Sequence, residues 1–280
     1  MKILSCITSV SKFSSRILQA VDLSTLLKQQ ITITDGHSLP YFIFITSLGL
    51  PASHEGVFIN TISSLLSDFG DGDYGTTSLL IAARQPADRY MPHLTSLLHR
   101  SAGRHKINAF DLSESLESSV MQSGDVLYND LLKRVSLLIT NFINSVDEDR
   151  KPLIFLDDLA VLTDLRVPSN RFLGFLLVSN LHCLVIGYHG SLDGANDDLL
   201  FHLAHRRAEL CLDVTPLDTG YSNAIDGLVG CYFILPLQLT ISQAKREDSL
   251  DELTKTTKLH FRAIDRRIQC YYPGSSNLVS

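Results

Sequence analysis

The 280-residue chain is poor in the features that mark several large protein classes. It has five cysteines, Cys6, Cys183, Cys211, Cys231 and Cys270. Their number is odd, their spacing is wide and no C-x-x-C occurs, which argues against a disulfide framework and a zinc ribbon. No N-x-[ST] sequon is present. Lys12 and Arg16 interrupt the apolar start too early for a signal peptide. No basic arm or acidic tail exists. The net charge is −6, and residues 1–150 and 151–280 each carry 12 basic and 15 acidic groups. A polybasic nucleic-acid binder is excluded by that balance, so any nucleic-acid contact needs a local patch. Phe172 to Tyr188 is the longest apolar stretch. Ser179, Asn180 and His182 divide it, so a buried helix followed by a strand is expected rather than a membrane span.

What is present is enough apolar material, 45% of residues, for a sizeable core. Strand-like runs alternate with helical periodicity. Strands are expected at 41–46, 77–82, 106–111, 153–156, 181–187 and 208–214. Helices are expected at 56–67, 86–100, 125–146, 170–179 and 197–206. Leu153 to Leu156 is a continuous apolar run ending in Asp157-Asp158, the pattern of a strand buried on both faces in a parallel sheet. Residues 228–235, 258–264 and 267–272 read as antiparallel strands, and 241–257 as an exposed loop. The expected fold is α/β, a doubly wound, mostly parallel central sheet with an antiparallel C-terminal extension. No linker divides it. One domain covers 1–280, with its core at about 31–235.

Ligands of such sheets bind beyond the carboxyl ends of the strands. The run at 41–46 leads into Ser47-Leu-Gly49-Leu-Pro-Ala-Ser-His54-Glu55-Gly56 and then a helix, the setting of a phosphate-binding loop. Aligned from Gly49 on G-x-x-x-x-G-K-[ST], His54 falls on the second Gly, Glu55 on the Lys and Gly56 on the Ser/Thr. The Lys of that pattern grips phosphates and the hydroxyl holds Mg²⁺, whereas a carboxylate repels phosphate. No lysine occurs between Lys28 and Lys106, and Pro51 lacks an N–H. Three readings remain: a working ATP site, a loop that never held phosphate, and a degenerate copy of a phosphate-loop fold. The third is favoured, so no nucleotide, cofactor or metal is expected. Asp157-Asp158 resembles a Walker B end, but helix capping accounts for an Asp there equally well.

Other constellations are weaker. Gly220-Tyr-Ser222-Asn-Ala224, with Asp226 and His260 downstream, resembles a nucleophile elbow, but a strand rather than a helix follows. His202 and His205 are spaced for one helix face and need further ligands to hold metal. Arg84, Arg89, Arg100, Arg104 and Lys106 cluster in sequence, as do Lys255, Lys258, Arg262, Arg266 and Arg267. Either set could touch phosphates or simply be solvated.

Leu153-Ile-Phe-Leu-Asp-Asp-Leu-Ala-Val-Leu162 resembles the apolar-Asp-Asp-Leu stretch of the Elongator complex protein 6 family. Pro216-Leu-Asp-Thr-Gly-Tyr-Ser222, followed by Asp226-Gly227, is similar to that family's Pro-Leu-x-Thr-Gly-aromatic-Ser segment. Leu259 to Asp265 and Tyr271 to Gly274 resemble its C-terminal hairpin. The likeness covers about 150–235 and 258–275; over 1–150 only the order of elements agrees, and 241–257 has no counterpart. The resemblance implies a RecA-like fold that has lost its nucleotide site, and a chain that is not an enzyme. It implies a hetero-hexameric ring with Elongator proteins 4 and 5, docking on the catalytic Elongator assembly, and tRNA binding in support of wobble-uridine (U34) modification. A cytoplasmic location, extending to the nucleus, with no membrane association, goes with it. In such rings the loops after the fourth and fifth core strands face the pore. Here these would be Asp158 to Asn170 and Tyr188 to Asp198, with Arg166 and Arg171 as candidate RNA contacts. The runner-up is an active RecA-like ATPase of recombination or motor type.

Overall fold

The computed structural model describes residues 21–23, 25, 27, 41–49, 55–68, 76–98, 105–112, 114, 124–147, 150–165, 167, 183–191, 198–217, 222, 224–233, 257–264 and 267–272. Ten described strands form one sheet: β1 (Val21–Asp22), β2 (Phe42–Leu48), β3 (Thr76–Ala82), β4 (His105–Asp111), β5 (Lys151–Asp157), β6 (Cys183–Gly190), β7 (Leu210–Thr215), β8 (Gly227–Phe233), β9 (Thr257–Ile264) and β10 (Arg267–Tyr271). Their spatial order is β1-β10-β9-β8-β7-β2-β6-β5-β3-β4. From β7 to β4 every pairing is parallel, and from β7 back to β1 every pairing is antiparallel. The α/β fold with a mostly parallel centre and antiparallel C-terminal strands is therefore the architecture of this chain.

The parallel strands read as they do because both their faces are covered. Phe42 to Ser47, Thr76 to Ala82 and Leu153 to Asp157 are buried without alternation. On one face lie α1 (Glu55–Asp68) and α2 (Ala87–Leu98), which pack Phe58, Ile62, Leu65, Tyr90 and Leu94 against Ile43, Ile45, Leu80, Phe155 and Val185. On the other lie α3 (Gly124–Ser145), α4 (Ala160–Asp164) and α5 (Leu199–Arg207), with Leu131, Val135, Ile139, Phe142, Leu162 and Ala204 packed over Phe42, Phe44, Leu79, Ile154 and Ile186. The apolar spacing expected at 56–67 and 125–146 is the spacing that meets the sheet.

Two details depart from the sequence reading. The core does not start at residue 31: Leu23 and Leu27 are fully buried in it, and β1 pairs with β10. A two-residue strand has too little pattern to be read in advance. Tyr188 does not open a loop; it lies inside β6 at 3% exposure, and its ring packs against Phe44 and Phe201. Pro92 sits inside α2, where it removes one N–H from the ladder. The helix expected at 170–179 and the loop at 241–257 lie outside the described residues.

Candidate functional site

All six parallel strands end on one side of the sheet, at Leu48, Ala82, Asp111, Asp157, Gly190 and Thr215. Strand order places one strand, β6, between β2 and β5. The turn after β2 and the acids after β5 therefore meet at this edge. Gly49 closes β2 at φ +92°, a backbone state open to glycine. Its N–H donates to Gly190 O at 3.0 Å. That amide is engaged between the ends of β2 and β6 rather than offered to a ligand. Below it the Ser47 hydroxyl lies 3.2 Å from His189 Nδ1.

Helix α1 begins at Glu55, so the carboxylate stands in its first turn. Helix N-termini attract anions through exposed N–H groups and the helix dipole. Here the chain supplies that anion itself. His54 lies outside the described residues, and Gly56, in the first turn with Glu55, carries no hydroxyl.

Both acids after β5 are buried. Asp157 Oδ2 accepts from the Tyr90 hydroxyl at 2.5 Å and from the Gln85 N–H at 3.4 Å. Burial is the main cause that pushes the Tyr90 phenol far above its ordinary value, followed by the charge of Asp157; the charges of Glu55 and Asp158 add to it. Three carboxylates thus act on one phenol at the mouth of the sheet. Asp158 is 1% exposed and sits at φ 66°, a state that Asp tolerates better than most residues. Its Oδ1 accepts from the N–H groups of Ala160 and His189, each at 3.0 Å, and its Oδ2 from Arg84 Nη1 at 2.7 Å. The Ala160 bond is a local turn contact rather than the N-cap the sequence allowed for this acid: the N-cap of α4 is Leu159, which has no side-chain cap. Asp111, from β4, caps α2 by accepting from the Ala87 N–H at 3.0 Å. The arrangement holds loops and helix starts in place, and its one described cation, Arg84, is matched to Asp158.

Among the described residues no group of three or more His, Cys, Asp or Glu side chains is placed to hold a metal ion. His205 and His202 do not converge on one: His205 Nε2 lies 2.7 Å from the Tyr232 hydroxyl. The hydrolase constellation does not assemble either. Asp226 Oδ2 accepts from the Ala263 N–H at 2.6 Å, Ser222 Oγ accepts from the Ala224 N–H at 3.2 Å, and His260 Nδ1 is buried with no hydrogen-bond partner among the described residues. A strand, β8, follows that turn, as its sequence indicated. Arg166 and Arg171 lie outside the described residues. Among the described residues no helix is long and apolar enough to cross a membrane.

Sequence reasoning missed Arg84 as the partner of Asp158 and Tyr90 as the partner of Asp157. Both follow β3, more than sixty residues upstream, and only the pairing of β3 with β5 brings them to the acids.

The fold and this edge define a doubly wound α/β protein with a carboxylate, Glu55, in the first turn of the helix that follows β2. No family model matches the sequence, and no curated protein does. In structure the chain is similar to a KaiC-like protein from the hyperthermophilic archaeon Pyrococcus horikoshii, with 9% identity, 91% of this chain and 100% of that chain covered, and a TM-score of 0.49.

Proposed function

We propose that this chain is a non-catalytic subunit of the Elongator accessory ring. In this reading it has a RecA-like core without a nucleotide site of its own. It joins paralogous Elongator subunits 4 and 5 in a hetero-hexamer that docks on the catalytic assembly and supports tRNA binding for wobble-uridine modification. The resemblance over residues 150–235 and 258–275 supports the family.

One observation carries the non-catalytic part. Glu55 begins α1 where a phosphate-gripping cation would have to stand, and Asp157 and Asp158 are committed to Tyr90, Arg84 and backbone N–H groups. Polyphosphate brought to this edge meets like charge, and like charges a few ångströms apart in a partly buried site repel strongly. An active ATPase needs the reverse.

Two measurements test the reading. Co-expression with the two paralogous subunits, followed by native mass measurement, is expected to give a complex with two copies of each. A chain that stays monomeric beside both partners overturns the ring assignment. Titration of the isolated chain with ATP and Mg²⁺ is expected to give no binding; micromolar affinity overturns the non-catalytic assignment and favours the ATPase.

A further inference from the structure

The antiparallel extension has two unlike faces. Along β8, β9 and β10 the side chains alternate. Val229, Cys231, Leu259, Phe261, Ile268 and Cys270 enter the core beside α1. The residues between them point the other way. Cross-strand register assembles that second face. Arg262 stands opposite Gln269, His260 opposite Tyr271, and Ile264 opposite Arg267, while Lys258 stands opposite Gly230. Directly opposed residues of an antiparallel pair share a face, and positions two apart along a strand share it too.

Lys258, Arg262 and Arg267 are exposed. Acid beside this face comes from Asp22 of β1, opposite Gln269, which lies 3.9 Å from the Arg267 guanidinium, and from exposed Asp226, whose Oδ2 accepts from the Ala263 N–H next to Arg262. Lys258 and Arg262 make no ion pair with a described residue. The Tyr271 hydroxyl donates to Gln269 Oε1 at 2.7 Å, which lays the ring along the same face beside half-buried His260. A protein of net charge −6 therefore carries a local cationic sheet face with an aromatic ring between its charges. The two sequence-adjacent basic clusters fare differently: on β9 and β10 the register gathers charges, whereas Arg84 of the other cluster is paired with a buried acid.

We propose that the Lys258–Arg262–Arg267 face of β9 and β10 binds single-stranded nucleic acid, with the three cations on phosphates of one strand and Tyr271 stacked on a base. Cations that follow a backbone combined with an aromatic platform are the combination single strands require. An acidic protein segment would match the charge and leave the ring without a stacking partner. This deepens the tRNA-handling part of the proposed function, and it concerns this chain alone.

Fluorescence anisotropy of the full chain with a labelled 20-nucleotide oligouridylate tests it. Binding is expected at 50 mM salt, with log K falling against log salt at a slope of about −2, since each neutralised phosphate of a single strand contributes about −0.7. Lys258→Gln, Arg262→Gln and Arg267→Gln together are expected to abolish most of that slope and weaken binding at least about tenfold. Tyr271→Ala is expected to weaken binding roughly fivefold to a hundredfold while leaving the slope unchanged. No binding by the parent chain, or parent-like binding by the triple variant, overturns the proposal. Poly-glutamate that competes as tightly as oligouridylate overturns it in favour of an acidic protein partner. Should a variant melt below the parent, ultraviolet crosslinking of oligouridylate to the parent decides: adducts on β9 and β10 support the site and adducts elsewhere overturn it. The chain alone is the sample, so failure here leaves ring assembly standing, and failed assembly leaves this surface standing.

Discussion

Thr46 on β2 and Asp213 on β7 are cross-strand partners, and the Thr46 hydroxyl donates to Asp213 Oδ1 at 2.6 Å. The other carboxylate oxygen, Oδ2, accepts from the Tyr232 hydroxyl of β8 at 2.9 Å. That proton is therefore used, so the Tyr232 oxygen must accept from His205, and His205 carries its hydrogen on Nε2. The chain runs from β2 through β7 and β8 to α5, across the junction where the parallel sheet becomes antiparallel. A satisfied, partly buried network of this kind fixes register, because a one-residue slip would strand every member.

This network makes stability sensitive to pH on the acid side. Burial is the main cause that lowers the His205 pKa below its ordinary 6.5; the Asp213 charge opposes it and His202 adds to it. Well above pH 6.5 the ring is neutral in both the folded and the unfolded chain. As pH falls through 6.5 the unfolded ring takes up a proton and the folded one does not, so stability drops until the folded ring also titrates. Urea midpoints measured between pH 8 and pH 5 are expected to fall in the parent chain and to fall less in His205→Phe. Equal slopes for the two would show that another group governs the acid limb.

Asp158 is expected to matter more than its partner. Asp158→Ala leaves two backbone N–H groups without their acceptor and puts alanine at positive φ, for a loss of about 2–4 kcal/mol. Arg84 is 41% exposed, so water replaces much of what Arg84→Ala removes, and the expected cost is about 1 kcal/mol. Asp158→Asn, which keeps the acceptor and tolerates the backbone, is expected to fall between them. Chemical denaturation of the three variants checks the order.

Two glycines are expected to respond with opposite sign. A Cβ on Gly227 would lie 2.8 Å from the Thr215 backbone oxygen and 2.8 Å from Phe261 Cε1. Backbone cannot yield as a flexible side chain does, so Gly227→Ala is expected to cost about 1–3 kcal/mol. On Gly56 the nearest atom is Ile268 Cδ1 at 3.6 Å, an ordinary contact. Gly56→Ala in the first turn of α1 is expected to stabilise by up to about 1 kcal/mol through its helix preference. Thermal melts of both variants against the parent decide the signs.

Four thiols are expected to be silent in the folded chain. Cys183, Cys211, Cys231 and Cys270 are buried and free. Burial is the main cause that raises their pKa, for Cys231 and Cys270 to about 12. Thiolate is the reactive form, so a thiol reagent at pH 8 is expected to label none of these four until the chain is unfolded. Rapid labelling of any of them under native conditions would contradict the burial described.

The sequence by itself determined the element order and the class of sheet. Leu153 to Leu156 is apolar throughout because β5 is covered on both faces, whereas β9 and β10 alternate because only one of their faces meets the core. Both patterns are local, so they can be read without coordinates. The same holds for Glu55, whose charge at the head of α1 needs only the helix boundary to be understood. Tertiary structure alone decided the partners: Arg84 with Asp158, Tyr90 with Asp157, Thr46 with Asp213, and the cations of β9 and β10 gathered on one face. Each of these depends on strand register, and the first three join residues more than sixty positions apart. Register is set by the packing of the whole sheet, not by the residues on either side of the pair.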